Sequence, residues 1–466
     1  MSAISRRLVS VVGGAVTVAL AGLGLAPAAN ASPAPAIAAP AVAAPAPAAA
    51  APAHVGSPAV KPKPAPPLSP SSCGTPVSKA LGFSDALDKL VYQGVQVGGL
   101  SSLAYDKRSH SWVSAVDNVG TEPSRIWFIQ DLSDPVIARA PLVLKQADGT
   151  PYTGATADDE GLAVLPNGDY LVSSETEPSI RIFGRDGVQK QSLPIPARFG
   201  VTGKTTLGEA TSNATLEGLT ITPNGKEIVA SMEGALSGDV SATGDANSHR
   251  FLVYQADRRG HFRLVKQVAY RTDTGMRIPE ITAYGNDSFL VEEASFSVDT
   301  GNAVKLYAVK GLSRAENVSK VANLSALPAR AVLSKKLVAD VVKCPSLGAT
   351  AKETQTNPLL DNFEGMAVVG KSDPTKAFAK VTRAEAAAAA TKAAKSAKLA
   401  FAKAVAKATA AGKKAPKPPV VHKPKPRPHH APGPRPSGYT EVALISDDNF
   451  STGQTTRILT LAIRLP

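Results

Sequence analysis

Two motifs of common hydrolases are absent from the 466 residues. No GxSxG segment occurs, which argues against a serine esterase of the α/β-hydrolase kind. No HExxH segment occurs, which argues against a zinc site of that type. Four of the seven histidines lie in segments of biased composition: His54, His422, His429 and His430. A phosphatase with a histidine nucleophile is therefore not indicated, and His249 is more simply a loop residue than a catalyst.

Long apolar runs are also missing, with one exception near the start of the chain. Residues 8–26 are apolar, follow the basic start MSAISRR and precede the small-residue site ANA at residues 29–31. This order predicts a secretory signal peptide over residues 1–31, with a membrane anchor as the alternative. No other run is long enough to span a bilayer. We therefore expect a secreted or cell-wall-associated protein without a transmembrane segment in the mature chain.

Cysteine is nearly absent, since only Cys73 and Cys344 occur. In an exported protein, two cysteines most simply form one disulfide, and we expect that bond here. Metal binding by two cysteines so far apart in sequence is the alternative.

Two segments have little apolar surface to bury. Residues 32–72 are almost entirely Ala and Pro, a composition that predicts an extended linker. Residues 371–437 begin with an Ala/Lys half that favours helix and continue with a Pro/Lys half that cannot be helical. We expect one domain over residues 73–466, with residues 371–437 as a low-complexity basic insertion within it.

The net charge of +13 is concentrated in the insertion, which holds 16 Lys and Arg against only Asp373 and Glu385. The rest of the predicted domain is mildly acidic, which argues against a basic groove for specific nucleic-acid binding. The insertion itself is suited to an anionic cell-wall polymer, with an inert solvated linker as the alternative.

A nine-residue phrase occurs twice, as EGLAVLPNG from Glu160 and as EGLTITPNG from Glu217. Related units recur, the first four at intervals of roughly 60 residues, a length that suits one propeller blade with generous loops, and the last after roughly 85, which is long enough to hide a degenerate repeat. Their apolar anchors are Leu103, Leu162, Leu219, Ile281 and Met366. Each unit consists of strand-like runs separated by turn signals, and no helical period appears in residues 74–370. The pattern predicts an all-β fold, a β-propeller with five recognised repeats; a β-sandwich is the alternative.

The charged residues of each repeat recur at positions that antiparallel pairing brings to one edge of a sheet. The first strands begin with Ser101, Glu160, Glu217, Glu280 and Glu364. The second strands end in Asp117, Glu175, Glu233, Glu292–Glu293 and Asp447–Asp448. The third strands open with Arg125, Arg181, Arg250, Lys305 and Arg457. We therefore expect one rim of the propeller to carry a ring of acids and bases.

Carboxylates that converge on one axis repel one another unless a cation lies among them. Calcium takes six to eight oxygen ligands, and arginine holds phosphate in a bidentate manner. The calcium ligands we expect are Glu160, Glu217, Glu280 and Glu364, assisted by Asp159, Asp447 and Asp448. The phosphate-binding residues we expect are Arg181, Arg250, Lys305 and Arg457. Glu160, Glu217 and Arg250 are the catalytic candidates. The alternative is a set of ordinary ion pairs between blades.

Five segments together resemble the phytase-like family, also described as having the esterase-like activity of phytase. They are GGLSSLAYD, DDEGLAVLPNGDYLVSSE, NATLEGLTITPNGKEIVASME, DNFEGMAV and LISDDNF. The resemblance covers residues 77–466 apart from the insertion. It implies a propeller with six blades and a phosphoesterase or esterase activity. The sixth repeat would then lie in residues 322–342 or be assembled partly from the N-terminal strand.

We expect an exported, calcium-dependent hydrolase that acts on phosphoric or related esters and takes a small anionic or ester substrate. One alternative is a non-catalytic, calcium-stabilised propeller that binds a cell-wall or extracellular ligand. A lactonase-type hydrolase is another.

Two expectations concern the ends of the ring and the insertion. An open ring would leave two exposed sheet edges, so strands from both chain ends should share one blade. We assign these strands to the stretch that begins at Ala86 and to residues 457–466. The insertion replaces a tight turn like PNG, which places it on the rim opposite the carboxylates.

Overall fold

The computed structural model describes residues 69–117, 120–410, 413–414, 416–417 and 427–466. These residues belong to the compact unit Pro66–Pro466. The predicted signal peptide and nearly all of the predicted Ala/Pro linker lie outside the described residues. Within them, no helix combines the length and the apolar character that crossing a membrane requires.

Most of the described chain is β-strand. Before the first repeat come β1 (Ser78–Ser84), β2 (Val91–Tyr92) and β3 (Val95–Gln96). The first two repeats supply β4 (Ala104–Asp106), β5 (Ser111–Ala115), β6 (Arg125–Gln130), β7 (Val136–Ile137), β8 (Leu142–Val143), β9 (Asp159–Val164), β10 (Tyr170–Ser174), β11 (Ser179–Phe183) and β12 (Gln189–Ser192). The next two supply β13 (Leu216–Ile221), β14 (Glu227–Met232), β15 (Ser248–Ala256), β16 (Phe262–Arg271), β17 (Arg277–Gly285), β18 (Ser288–Ser297), β19 (Gly301–Lys310) and β20 (Lys335–Asp340).

The last repeat contains the one long helix of the described residues. It supplies β21 (Phe363–Gly370), α1 (Lys376–Ala410), β22 (His429–His430), β23 (Thr440–Ser446) and β24 (Ile458–Ile463). Short 3-10 turns occur at Ala197–Phe199, Ser237–Asp239, Leu312–Arg314, Ala329–Ala331 and Val341–Lys343.

These strands form five antiparallel sheets, which are the blades of a β-propeller. Blade 1 is β4-β5-β6-β7 with β8 beside β6, blade 2 is β9 to β12, blade 3 is β13 to β16, and blade 4 is β17 to β20. Blade 5 runs outward as β21-β23-β24-β1-β22. The first strand of each repeat lies innermost. Neighbouring inner strands contact one another in the order β4, β9, β13, β17 and β21, and β21 contacts β4.

The ring has five blades, so the expectation of six is wrong for the described residues. The segment considered for a sixth repeat contains β20, which is the outer strand of blade 4 and pairs with β19. The N-terminal strand β1 belongs to blade 5. Because the inner strands of blades 1 and 5 are already in contact, no gap remains between them for another sheet.

The close approach of the inner strands explains the glycine that follows the glutamate in the repeated nine-residue segment. A Cβ atom at Gly161 would lie 2.3 Å from the backbone oxygen of Glu217 in the next blade. Glycine is therefore required at this position of blade 2, and the same holds at Gly218 of blade 3, where a Cβ atom would lie 2.6 Å from the backbone nitrogen of Ile281. The PNG turn at Gly168 has φ of 84°, and the one at Gly225 has φ of 70°, the left-handed region that glycine enters without strain. Leu162 and Leu219 are buried and pack between blades.

Both chain ends contribute to blade 5, as expected, but the N-terminal strand is not the predicted one. β1 pairs antiparallel with β24, from Ser78 opposite Ile463 to Ser84 opposite Ile458. The stretch that begins at Ala86 instead forms the small hairpin of β2 and β3. The ring is thus closed by hydrogen bonds between the two ends of the domain.

The predicted disulfide between Cys73 and Cys344 is present and spans 271 residues. It links the segment before β1 to the segment after β20, and so ties blade 5 to blade 4. Replacing both cysteines by serine should lower the free energy of unfolding by about 5 kcal/mol, because the chain-entropy model assigns that cost to so long a loop. Urea unfolding monitored by circular dichroism, with the oxidised parent as control, measures the loss. An unchanged midpoint would contradict the prediction.

The insertion lies between β21 and β23, which pair from Phe363 opposite Ser446 to Gly370 opposite Glu441. It therefore leaves the hairpin at the end remote from Asp447, on the opposite rim as predicted. Its Ala/Lys half forms α1, also as predicted. Near the end of the insertion, β22 pairs with Phe83 and Ser84 of β1 and covers that sheet edge.

Candidate functional site

Acidic residues at the starts of first strands and at the ends of second strands surround a cavity of about 260 Å³ on one rim of the propeller. We call this space the acidic cavity. Its walls are Asp117, Glu160, Glu175, Asn213, Glu217, Glu233, Arg277, Asn362, Glu364 and Asn449. Six carboxylates and one guanidinium therefore face a single small space. Residues from all five blades contribute, so the cavity depends on ring closure.

Two groups of carboxylates have oxygens close enough to share a cation. One group is Asp117, Asp158 and Glu160, and the other is Glu160, Glu175 and Glu217. Within each group, one oxygen per residue lies within 4.8 Å of the others. Calcium–oxygen distances of about 2.3–2.6 Å allow ligand oxygens up to about 5 Å apart. Both groups fit a calcium ion by this test, and they share Glu160.

Two buried carboxylate oxygens without hydrogen-bond partners also fit a bound cation. Glu217 Oε2 and Asp447 Oδ2 are buried and have no hydrogen-bond partner among the described residues. A buried carboxylate oxygen without a partner is costly, and a bound cation is one way to remove that cost. The donor set consists only of carboxylate and amide oxygens, which hard cations prefer.

Arg277 lies among these acids and supplies the positive charge within the cavity wall. Its Nη1 donates to Glu233 at 2.8 Å and to Glu217 at 3.4 Å. Its Nη2 donates to Asn362 at 2.9 Å and to Glu364 at 2.8 Å. Its side chain is 27% exposed. The surrounding carboxylates raise the pKa of Arg277 despite its burial, so it stays charged.

Burial raises the pKa of several cavity acids, among them Asp117, Glu160, Glu175 and Glu217. It raises the pKa of Asp117 and of Glu175 to about 8 each, and neighbouring acids add to the effect. Burial, reinforced by neighbouring carboxylates, also raises the pKa of Glu160 and of Glu217 well above the usual range. Without a cation the site therefore holds protons near neutral pH.

A comparison with known protein families shows to which family the chain belongs. The family model described as "Phytase-like: Esterase-like activity of phytase" matches residues 95–379, more than half of the chain. The chain belongs to the phytase-like family. No curated protein matches it. Among solved structures, it is similar to one described as "Streptogramin B lyase structure" at 11% identity and a TM-score of 0.25, covering 62% of this chain and 78% of that one.

One predicted ligand of this phytase-like chain, Glu280, does not reach the cavity. Its Oε1 accepts hydrogen bonds from the backbone of Leu219 at 3.0 Å and Ile281 at 2.8 Å, inside the central channel. Spacing in the sequence could have revealed this. Glu160 and Glu217 precede their apolar anchors by two residues, whereas Glu280 directly precedes Ile281. Glu280 thus occupies the glycine position of the repeat, and Pro279 stands where the ring glutamate would be.

The other predicted acids of the phytase-like ring are divided between the cavity and its surroundings. Glu364 lines the cavity and pairs with Arg277. Asp447 accepts a hydrogen bond from the backbone of Asn449 at 2.7 Å, and burial together with the nearby Glu364 and Asp117 raises its pKa. Asp448 instead accepts from the backbone of Gly99 at 3.0 Å and pairs with Lys89.

Asp159 points away from the cavity. Burial raises its pKa to about 7 although Arg181 and Ser124 act to lower it, and neither of these two residues lies in the cavity wall. Neighbouring residues of one strand face opposite sides, so Asp159 and Glu160 cannot both enter the axis.

Two predicted phosphate-binding residues are used within the fold. Arg250 is fully buried and forms two hydrogen bonds with Asp239, at 2.6 and 2.8 Å. Its remaining donors bond to Gln267 and to backbone oxygens. Arg457 is likewise buried and bonds to Asp85 at 2.7 and 2.9 Å. Neither lines the cavity, because carboxylates and backbone oxygens of surrounding loops accept their hydrogen bonds.

The remaining predicted bases lie outside the cavity wall as well. Arg181 pairs with Glu177 at 3.2 Å and lies over the ring of Tyr152. Lys305 pairs with Asp273 at 2.7 Å. His249 belongs to β15 rather than a loop, and burial lowers its pKa to about 4, so it is neutral.

The sequence-based assignment misses two residues of the site, Asp158 and Arg277. The DDE run that begins at Asp158 is a signal in the sequence for Asp158.

Proposed function

We propose that the protein is a calcium-dependent hydrolase of phosphoric esters and that the acidic cavity is its active site. The observation that carries this proposal is the pair of three-carboxylate groups that share Glu160 beside a single arginine. Family membership supports a hydrolase of this class. The matching substrate is a small anionic ester, since the cavity encloses only about 260 Å³.

Glu160 and Glu217 would hold the cation, with Asp117, Asp158 and Glu175 completing the two groups. When bound, calcium would polarise the phosphoryl group and lower the pKa of an attacking water. Arg277 would bind the phosphate oxygens, because its partly exposed guanidinium is already oriented by Glu233 and Glu364. The side chains of Asn213 and Asn362 would donate to the substrate at the rim.

Export of the protein fits this proposal. Calcium is abundant outside cells, and the disulfide between Cys73 and Cys344 persists in oxidising surroundings. We propose that the mature domain is secreted or associated with the cell wall.

The test replaces one shared ligand and one distant acid of the same blade. Glu217→Gln keeps the shape of the side chain and removes one charge, so it should weaken calcium binding by at least about tenfold and reduce turnover accordingly. Glu227→Gln, at the opposite end of blade 3, should change neither. Calorimetric titration with Ca²⁺ and hydrolysis of p-nitrophenyl phosphate, with and without chelator, are the measurements.

The same assay separates the alternative functions. Calcium binding without turnover of any phosphate or carboxylate ester would favour a non-catalytic, calcium-stabilised ligand-binding propeller. Turnover of lactones alone would favour a lactonase. Equal calcium affinity in Glu217→Gln and the parent would make the ring a set of structural ion pairs.

A further inference from the structure

The helix α1 is fixed to the body at its first two turns. The carboxylate of Asp373 accepts hydrogen bonds from Trp112 Nε1 at 2.9 Å and from the backbone of Leu132 at 2.7 Å. Arg383 pairs with Asp131 at 3.0 Å, and Phe378 stacks on His110 at 4.1 Å between ring centres. These contacts hold the start of α1 against the edge of blade 1.

Beyond Arg383 the helix leaves the surface of the domain. Every residue from 384 to 400 is exposed. At 1.5 Å per residue, the part from 384 to 410 extends about 40 Å. Its residues are mostly alanine and lysine, without the continuous apolar face that a helix buries against a protein core. Packing on the body therefore does not explain this part of the helix.

The projecting part carries positive charge on several faces. Its lysines are Lys392, Lys395, Lys398, Lys403 and Lys407, and Glu385 is its one acid. Lys413, Lys414 and Lys417 continue the series. Within the described part of the chain, none of these lysines forms an ion pair with a carboxylate of the body. Their charge is free to act on an external partner.

The helix and the acidic cavity belong to opposite rims. β21 begins beside the cavity at Phe363 and Glu364 and ends at Gly370, from which the insertion leaves. A polyanion would be attracted at one rim and repelled at the other. Binding through α1 would therefore turn the cavity away from the polymer.

We propose that the projecting helix binds a linear, flexible phosphodiester polymer and orients the domain with its acidic cavity facing away from that polymer. The lysines extend over several helical turns, so one small anion cannot engage them together, whereas a flexible chain of phosphates can follow them. Residues 384–417 contain no arginine, the residue that most often reads base edges. The acidic body also opposes close contact with a duplex, which carries one charge per about 1.7 Å.

Binding is tested with immobilised poly(glycerol phosphate) and the full chain. Replacing the five helical lysines by glutamine should weaken binding at least about tenfold at low salt. It should also reduce the slope of log affinity against log salt by about 3.5, since each lost single-strand contact removes about 0.7. The matched variant with arginine at the same five positions should bind as the parent does. Circular dichroism confirms that both variants keep the helix.

Orientation is tested with one cysteine on each rim of blade 3. One variant is Ala242→Cys, in the loop that begins at Glu233 and joins β14 to β15. The other is Arg258→Cys, in the turn between β15 and β16 at the opposite end of the blade. Both positions are exposed. When the protein is bound to the polymer, maleimide should label the Ala242→Cys variant as fast as it labels the free protein. It should label the bound Arg258→Cys variant several times more slowly than the free one. Equal protection of both, unchanged binding by the glutamine variant, or tighter binding to duplex DNA at physiological salt would overturn the proposal.

Discussion

Calcium should raise the melting temperature of the metal-free protein at pH 8 by about 5 °C for each site filled at a thousandfold excess over its dissociation constant. A thousandfold excess corresponds to about 4 kcal/mol of stabilisation, and a domain of this size unfolds with an entropy near 0.8 kcal/mol per degree. At pH 5 the shift should nearly vanish, because protons then compete with calcium for the buried carboxylates.

The stability of the metal-free protein should change with pH in the opposite direction, falling as the pH rises. Burial raises the folded-state pKa of Asp117 and of Glu175 to about 8, far above their values in the unfolded chain. Below about pH 4 these carboxyl groups are protonated in both the folded and the unfolded state, so they do not change the free energy of unfolding. Between about pH 4 and pH 8 the unfolded state loses protons that the folded state keeps, so stability declines as pH rises.

Differential scanning fluorimetry between pH 5 and pH 8, with chelator or with Ca²⁺, measures both trends. Glu217→Gln should reduce the calcium shift, and Glu227→Gln should leave it unchanged. A calcium shift of equal size at pH 5 and pH 8 would contradict carboxylate ligation.

Deleting residues 457–466 should abolish cooperative unfolding. The deletion removes β24, which pairs with β23 on one side and with β1 on the other. It also removes Arg457 and leaves its partner Asp85 buried without an opposing charge. Both neighbouring strands would lose a complete ladder of hydrogen bonds, and the ring would open at blade 5.

A matched truncation tests whether β24 itself is responsible. Removing only Leu465 and Pro466, which follow the strand, should preserve a sharp thermal transition in circular dichroism. The longer truncation should give a shallow, non-cooperative loss of signal. If it melts as sharply as the parent and at the same temperature, the ends of the chain do not close the ring.

The sequence and the structure differ most at blade 4. The prediction places acids at the starts of first strands and at the ends of second strands, and it assigns Glu280 to the ring as the residue that opens the first strand of blade 4. The pairing of β17 with β18 is irregular between Arg277 and Glu280, as the pairing is at the corresponding place in blades 2, 3 and 5. Blade 4 differs in the spacing of its glutamate, since Glu280 directly precedes Ile281, whereas Glu217 precedes Leu219 by two residues. Glu280 therefore turns into the channel, while Arg277 enters the cavity. A shift of one residue reverses which face each side chain occupies, and composition alone does not reveal it.

The sequence by itself determined the features that depend on local pattern: the repeated strands of a propeller, the rim that carries the acids, the disulfide between Cys73 and Cys344, and the position of the insertion within one hairpin. Strand alternation and turn residues act over a few positions, so they can be read along the chain. Only the tertiary structure decided the number of blades, the entry of Arg277 into the cavity and the removal of Arg250 and Arg457 from it. These outcomes depend on partners such as Asp239, in the loop that leads into the strand of Arg250, and Asp85, which lies 372 residues from Arg457, and strand periodicity does not encode which buried charge each arginine will meet.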